Sequence, residues 1–350
     1  MARSVDASGS MEAHGEYDRH SLAQHSAGSY GTPLLERALR DVTLPGSGVI
    51  TVGDLGAAGG TNELAPMSVA ARALRARAAN PIAVVHTDIP TNDFTTLFEN
   101  VEQSPDTYLA TADVFPFAAG RSFYRQIFPP GSVSLVWSAI AVHWLSRVPV
   151  SIPDHLYCSF AHGAARDAFR TQSAEDWNDF LHARAIELHA GAQMVIVGGA
   201  ASDDGASGAE ALMDALHRAV RRAVDAGDVT ADEYARMNVP TWNRTLAEFA
   251  APFAPGGAAA AGDLTLVECS LVEVPDAYLT AYRADDDAAV FADAVSAFVR
   301  AFTEPSLFGT LDRPTAERDA LAVRVYTDVR EQLAADPRSF ETVWRVALLR

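Results

Sequence analysis

Apolar residues along the chain fall into two rhythms. Short continuous runs, partly β-branched, occur within Val49–Leu55 and at Ile82–Thr87, Ser132–Val136, Gln193–Val197 and Leu264–Cys269, with a strand-like Thr342–Leu349 at the end. Their length and lack of alternation are those of parallel strands buried on both faces. Between them the spacing turns helical: Pro33–Arg40, Glu63 to about Ala79, and about Ala288 to Thr303. Ser173-x-x-Asp176 reads as a capping box opening a helix to about Ala190, with Trp177, Phe180, Leu181, Ala185 and Leu188 on its apolar stripe and Gly191 as its C-terminal cap. Pro116–Pro130 reads as a loop. The rhythm changes at Gly198: a small-residue loop, a helix with Leu212, Leu216, Val220 and Val224 on one stripe, a turn into a second helix over Asn238–Glu248, then the Pro, Gly and Ala linker Ala251–Gly262. This pattern predicts an α/β core of 1–200 and 263–350 under a helical cap of 201–262, with 300–325 a candidate addition to the cap. Residues 1–15, rich in Ser, Ala, Gly and Glu, are expected to be disordered.

The first strand runs directly into V-G-D-L-G-A-A-G-G-T-N, ending at Asn62, and a helix follows. Strand, glycine turn and helix in that order form a nucleotide-binding element. Glycines let backbone N–H groups approach a ligand, and the helix N-terminus adds partial positive charge. Gly56, Gly59 and Gly60 do not make G-x-G-x-x-G, and G-x-x-x-x-G-K-[ST] is impossible in a chain without lysine. Asp54-x-Gly56-x-Ala58-x-Gly60 looks like the first motif of S-adenosylmethionine (SAM) methyltransferases. A tight turn of some other doubly wound protein fits these residues too.

Asp88 stands where the second strand ends, the place at which a Rossmann-like fold binds ribose hydroxyls. An Asx turn or helix cap before Pro90 is the bland alternative. Ser122 and Phe123 offer a hydroxyl and an aromatic face for an adenine ring, or simple packing. Trp144, just past the fourth strand, brings an apolar plate and one N–H donor to the edge where open α/β sheets bind ligands; core packing is its alternative. His143 beside it could face the same pocket or be a structural histidine.

Charge and composition remove other classes. A formal net charge of -18, with arginine supplying all 27 basic residues, repels phosphate backbones and argues against nucleic acid as a partner. Without lysine there is no Schiff-base chemistry. Cys158 and Cys269 form no C-x-x-C, and no H-E-x-x-H or G-x-S-x-G occurs, which weakens disulfide, metal and esterase readings. No apolar run is long enough to insert into a membrane, so the expectation is a soluble, cytoplasmic protein.

Taken together the motifs resemble the SABATH methyltransferases, whose members methylate salicylate, benzoate, jasmonate and related acids, with similar bacterial proteins methylating fatty acids. The family's Tyr-x-x-x-Ser-x-x-Gln is matched by Tyr17, Ser21 and Gln24, and its D-L-G-x-x-x-G-x-N by Asp54, Leu55, Gly56, Gly60 and Asn62. Its N-D-L-P-x-N-D-F is matched from Asp88 to Phe94, with Thr87 for the first Asn and Ile89 for Leu. Gly120–Pro130 is close to its G-S-F-Y-x-R-L-F-P, Ser132–Pro149 to its S-V-x-L…W-L-S-x-V-P, and Asp176–Leu188 to its D-F-x-x-F-L-x-x-R-x-x-E-L helix.

The resemblance implies a Rossmann-like SAM-dependent methyltransferase sheet with helices on both faces and a helical cap. It implies SAM as cofactor, bound by Tyr17, Ser21, Asp54, Gly56, Asn62, Asp88, Ile89, Ser122 and Phe123. Gln24 and Trp144 would tether a substrate carboxylate, with Tyr17 and His143 at the methyl-transfer position. Ile140, where the family often has Tyr, and Trp242, Phe302 and Leu307 are candidate pocket residues, for which core packing is the competing reading. The expected reaction is methylation of a small hydrophobic carboxylic acid, fatty or aromatic, to a methyl ester. A carboxylic acid has a pKa of about 4, so the nucleophile is ionised at neutral pH and neither a general base nor a metal is required. Catalysis then rests on alignment, with the attacking oxygen about 3 Å from the methyl carbon. Methylation of a heterocycle or phenol, or non-catalytic binding of SAM or a hydrophobic acid, are the alternatives. A homodimer is implied by the family alone.

Overall fold

The computed structural model describes residues 22–350, with the side chains of 22–25 and 261 outside that description. Seven strands form one sheet: β1 Ile50–Leu55, β2 Ile82–Asp88, β3 Val114–Gly120, β4 Val133–Ala139, β5 Leu188–Gly199, β6 Cys269–Val274 and β7 Trp344–Leu349. Their order is β3-β2-β1-β4-β5-β7-β6, parallel through the first five positions, with β7 antiparallel to both β5 and β6. This is the expected α/β sheet with helices on both faces.

Strand residues alternate between the two faces, and both faces are covered. Val52, Leu135, Trp137, Val195, Val197, Val346 and Leu348 point to one side. They pack on helices α1 Leu22–Ser29, α2 Thr32–Asp41, α3 Leu64–Arg77 and α4 Phe94–Gln103. Leu55, Val136, Ile196, Ala347 and Leu349 point to the other side, against Trp177, Phe180 and Leu181 of α5 Gly163–Glu187 and against Phe249 and Ala259. A third cluster sits apart from the sheet. It joins Trp144–Ala161 to α6 Glu210–Asp225, α7 Ala277–Asp285, α8 Ala288–Leu307 and α9 Thr315–Ala335.

Several expected boundaries move. Strand β3 lies partly inside the expected loop Pro116–Pro130. It is an edge strand whose Phe115 and Phe117 are half exposed, and Pro116 is tolerated only at such an edge. Ser173 is not a cap. The helix begins ten residues earlier at Gly163, because Phe169, Gln172, Ser173 and Asp176 already continue the buried stripe. Asp176 instead accepts from the Ser146 N–H and hydroxyl, at 2.8 and 2.6 Å. The helix ends at Glu187, and Gly191 lies within β5 at φ +80, where a Cβ would meet the Thr43 hydroxyl at 2.3 Å. Strand β6 starts at Cys269, where the expected strand ended; before it, the Val267 and Glu268 N–H groups donate to the Arg350 carbonyl, and the Arg350 N–H donates to the Glu268 carbonyl. The expected helix over Asn238–Glu248 is largely extended chain that bridges to Trp144, Tyr157 and Ala200, and the helix there is Leu246–Ala250.

Candidate active site

The glycine turn leaves β1 at its C-terminal end. Gly56 has φ +86, and a Cβ there would stand 2.4 Å from the Ala141 Cβ, so only glycine fits. The loop after β2 holds the turn in place. Asp88 Oδ2 accepts from the Ala58 N–H at 2.8 Å and Oδ1 from the Ile89 N–H at 2.7 Å. Asn92 and Asn100 donate side-chain N–H groups to the Ala58 and Gly59 carbonyls, each at 2.8 Å. Two of the four lone-pair sites of Asp88 remain for a ligand. Burial pushes its pKa up to about 6, against the pull of the two backbone N–H groups.

Asp54 is fully buried, and its Oδ1 has no hydrogen-bond partner among the described residues. Burial, then the nearby Asp88, pushes its carboxyl well above the usual range. Glu63, in the turn Thr61–Glu63 that also contains Asn62, is buried too and accepts from the Trp137 indole N–H. Its pKa is raised by burial and by Asp54. Two buried carboxyl groups, Asp54 and Glu63, and the partly exposed Asp88 stand beside the glycine turn, and in their ionised forms they suit a cationic ligand such as SAM. The orphaned Asp54 oxygen and the close approach at Gly56 fit such a group.

Ser122 and Phe123 lie on the loop after β3. Phe123 reaches the turn, 3.6 Å from where a Gly56 Cβ would stand, and meets Tyr124 and Phe180 edge-on. Ser122 Oγ accepts from the Tyr124 N–H at 3.4 Å. The loop is clamped from α5. Arg184 donates to the Phe123 and Arg125 carbonyls, and Glu187 accepts from the Ile127 and Phe128 N–H groups. Arg184 and Glu187 are paired at 2.7 Å with neither exposed.

Tyr124 links this side to Trp144, because its hydroxyl donates to the Trp144 carbonyl. Trp144 is buried, 6.5 Å edge-on from Phe302, and its indole N–H has no partner among the described residues. Phe302 continues to Phe298 and on to Tyr278, at centroid distances of 5.1 and 5.6 Å. His143 packs beside Trp144. Burial and then Arg244 push its imidazole down to about 4, so it is neutral at pH 7, and its Nδ1 is buried without a partner among the described residues. Ile140, directly after β4, holds φ +51, an uncommon conformation for a β-branched residue.

Among the weaker pocket candidates, Trp242 gives its indole N–H to Glu248 at 3.2 Å and lines a cavity of about 160 Å³ with Cys158 and Arg166. Leu307 is fully buried in the third cluster. Tyr17 and Ser21 lie outside the described residues, as does the side chain of Gln24 on α1. The sequence alone did not reveal the Arg184–Glu187 clamp, the Glu63–Trp137 bond or the buried Arg244, which donates to the Val142 and Ser173 carbonyls. Only the first had a local signal, an i,i+3 pair of opposite charge on one helix face.

The model of the family described as SAM-dependent carboxyl methyltransferase matches residues 6–348. The chain belongs to that family. Its relatives include a methyltransferase of Gibberella moniliformis, 27% identical over 241 residues, which are 68% of this chain and 65% of that protein. Indole-3-acetate O-methyltransferase 1 of Arabidopsis thaliana is 29% identical over 67% of this chain and 68% of its own length. The 7-methylxanthine methyltransferase PCS1 of Camellia ptilophylla is 25% identical over 83% of both chains. The chain thus spans about 65% of the length of the fungal relatives it matches. In fold it is similar to a solved loganic acid methyltransferase with SAH, at a TM-score of 0.76 and 18% identity, over 97% of this chain and 98% of that one. That family is described as SAM-dependent. No helix among the described residues is long and apolar enough to cross a membrane.

Proposed function

We propose that the protein transfers the methyl group of SAM to the carboxylate of a small hydrophobic acid, giving a methyl ester and S-adenosylhomocysteine. The observation that carries this reading is the Trp144 indole N–H, without a partner among the described residues and set against the aromatic row Phe302, Phe298 and Tyr278. An indole N–H without a protein acceptor beside an aromatic row suits a carboxylate with an apolar body, which would accept from the donor and cover the row. Gln24 is the proposed second donor.

SAM supplies an already activated methyl group. The chain then has only to position an ionised acid. Trp144 would hold one carboxylate oxygen, leaving the other free to attack. Neutral His143 adds bulk and a further polar edge without placing a second charge beside the substrate. On the cofactor side Asp88, Asp54, Ser122 and Phe123 are the proposed contacts, with Tyr17, Ser21, Gly56, Asn62 and Ile89 completing them. The proposed cap is the third cluster, residues 209–242 with 277–340, since its helices share a core separate from the two that line the sheet. An aromatic or fatty acid suits the aromatic row.

Gln24→Ala and Trp144→Phe are expected to cut turnover on acids by about tenfold to a hundredfold, one charged hydrogen bond each, while S-adenosylhomocysteine affinity stays within about twofold. Turnover with labelled SAM across octanoate, laurate, benzoate and salicylate, beside calorimetry, decides this. Equal losses in turnover and cofactor affinity would refute the tether. Product on a phenol or purine but on no acid would move the reading to the alternative acceptors.

A further inference from the structure

The parallel register of β1 and β2 sets His86 directly across from Asp54. His86 Nδ1 lies 2.6 Å from Asp54 Oδ2, and His86 Nε2 lies 2.8 Å from the Tyr108 hydroxyl. All three residues are at 0% exposure. A neutral imidazole carries one N–H and one acceptor nitrogen. Burial keeps His86 neutral by pushing its pKa down to about 4, and burial keeps Tyr108 protonated by raising its own. With the Tyr108 hydroxyl donating to Nε2, the imidazole N–H is at Nδ1 and points at Asp54. One Asp54 oxygen is then fixed, and the other, Oδ1, is buried with no partner among the described residues. The remaining charges around Asp54 are Asp88 from the end of β2 and Glu63 from the turn before α3, both acidic. His86 lies outside the family motifs that surround it.

We propose that His86 is a positioning residue: it donates from Nδ1 to Asp54 and so holds that carboxylate ionised, with Oδ1 presented to the ammonium of the cofactor's amino-acid end. The inference rests on the reading of Asp54 as a cofactor contact. Without the donor, Asp54 is left in an apolar, acidic surround that favours its neutral form, which cannot attract an ammonium.

The full chain is titrated calorimetrically with S-adenosylhomocysteine and with 5′-methylthioadenosine, which lacks the amino-acid end, from about pH 6 to 8.5. His86→Asn places an amide N–H near the Nδ1 position, whereas His86→Gln places it near Nε2 and away from Asp54. The Gln variant is expected to bind S-adenosylhomocysteine roughly tenfold to a hundredfold more weakly, with the acidic limb of its affinity profile moved to higher pH. Its affinity for 5′-methylthioadenosine is expected to hold within about threefold, and the Asn variant to recover most of the loss. Unchanged affinity in the Gln variant, an equal loss for both ligands, or an Asn variant no better than Gln would each overturn the proposal. Asp54→Asn separates the two layers. If it binds S-adenosylhomocysteine normally, the cofactor reading of Asp54 is what fails. If it binds weakly while His86→Gln does not, that reading stands and the role of His86 falls.

Discussion

Replacing Glu187 by Gln keeps an oxygen that can accept from the Ile127 and Phe128 N–H groups but removes the charge opposite Arg184. The guanidinium makes two bonds to Glu187, at 2.7 and 2.9 Å, and two to the Phe123 and Arg125 carbonyls. Neither side chain of the pair is exposed, so solvent screening does not reduce the effect. Breaking a buried pair by neutralising one partner costs about 3–5 kcal/mol. A chain of 350 residues has an unfolding entropy of about 0.7 kcal/mol/K, so that is a fall in melting temperature of roughly 4–7 °C. Glu187→Ala should cost more, because two further backbone N–H groups lose their acceptor at about 1–3 kcal/mol each. The loop they belong to carries Ser122 and Phe123, so the Ala variant is also expected to bind S-adenosylhomocysteine about tenfold more weakly, and the Gln variant within about threefold of the wild type. Adding Arg184→Met to Glu187→Gln removes the stranded cation and should restore about 2–3 kcal/mol. Urea unfolding of the wild type, Glu187→Gln, Arg184→Met and the double variant measures the cycle. A Gln variant within about 1 kcal/mol of the wild type, or a double variant no more stable than the single, would refute the clamp.

Three further outcomes follow from the site. With Asp88 pushed up to about 6, the ionised form that would accept ribose hydroxyls is lost below that pH, so S-adenosylhomocysteine affinity should fall about tenfold per unit below about 6 and be flat above it, a dependence that Asp88→Asn removes. The sign for folding is opposite. The folded free protein binds this proton more tightly than the unfolded chain, whose ordinary value is 3.8, so Asp88 costs stability as pH rises from about 4 to 6, which urea unfolding across that window would detect. Ile140→Gly should change unfolding free energy by less than about 1 kcal/mol, because relief at φ +51 offsets the packing loss of this partly buried side chain; a loss above about 2 kcal/mol would show no strain to relieve. Phe302→Ala opens the row beside Trp144, so kcat/KM should drop about tenfold for benzoate and rise for a bulkier acid, and an unchanged ratio would place Phe302 outside the pocket.

The cofactor half was readable because its signals are local. Strand, Gly56–Gly60 and helix follow one another without a gap, and Asp88 closes the next strand. The failures also have local causes. Strand β3 was missed because Pro116 reads as a breaker and the strand's outer side chains are exposed, both properties of an edge. Ser173 imitates a helix start, yet it lies mid-helix with its carbonyl taken by Arg244, a partner 71 residues away. The Asp54–His86 pair spans 32 residues and follows only from the register between two strands. Once that register is assumed, the pair can be read directly. Trp242 shows the limit for the substrate side, because its ring could serve a pocket or a core, and only its bond to Glu248 says where its N–H goes.

The separation of the buried apolar residues into three clusters has an evolutionary consequence. Residues from 209–242 and 277–340 share one cluster with Trp144–Ala161, while the strands under the glycine turn pack with α2, α3 and α5. Substitutions in separate cores tend to add without interaction. A lineage could therefore remodel the acceptor side through many successive mutations, each tested on its own merits, without renegotiating the way the methyl donor is held. Directed evolution toward a new acid should meet the same freedom, and libraries confined to α6, α8 and α9 should retain donor binding in most members.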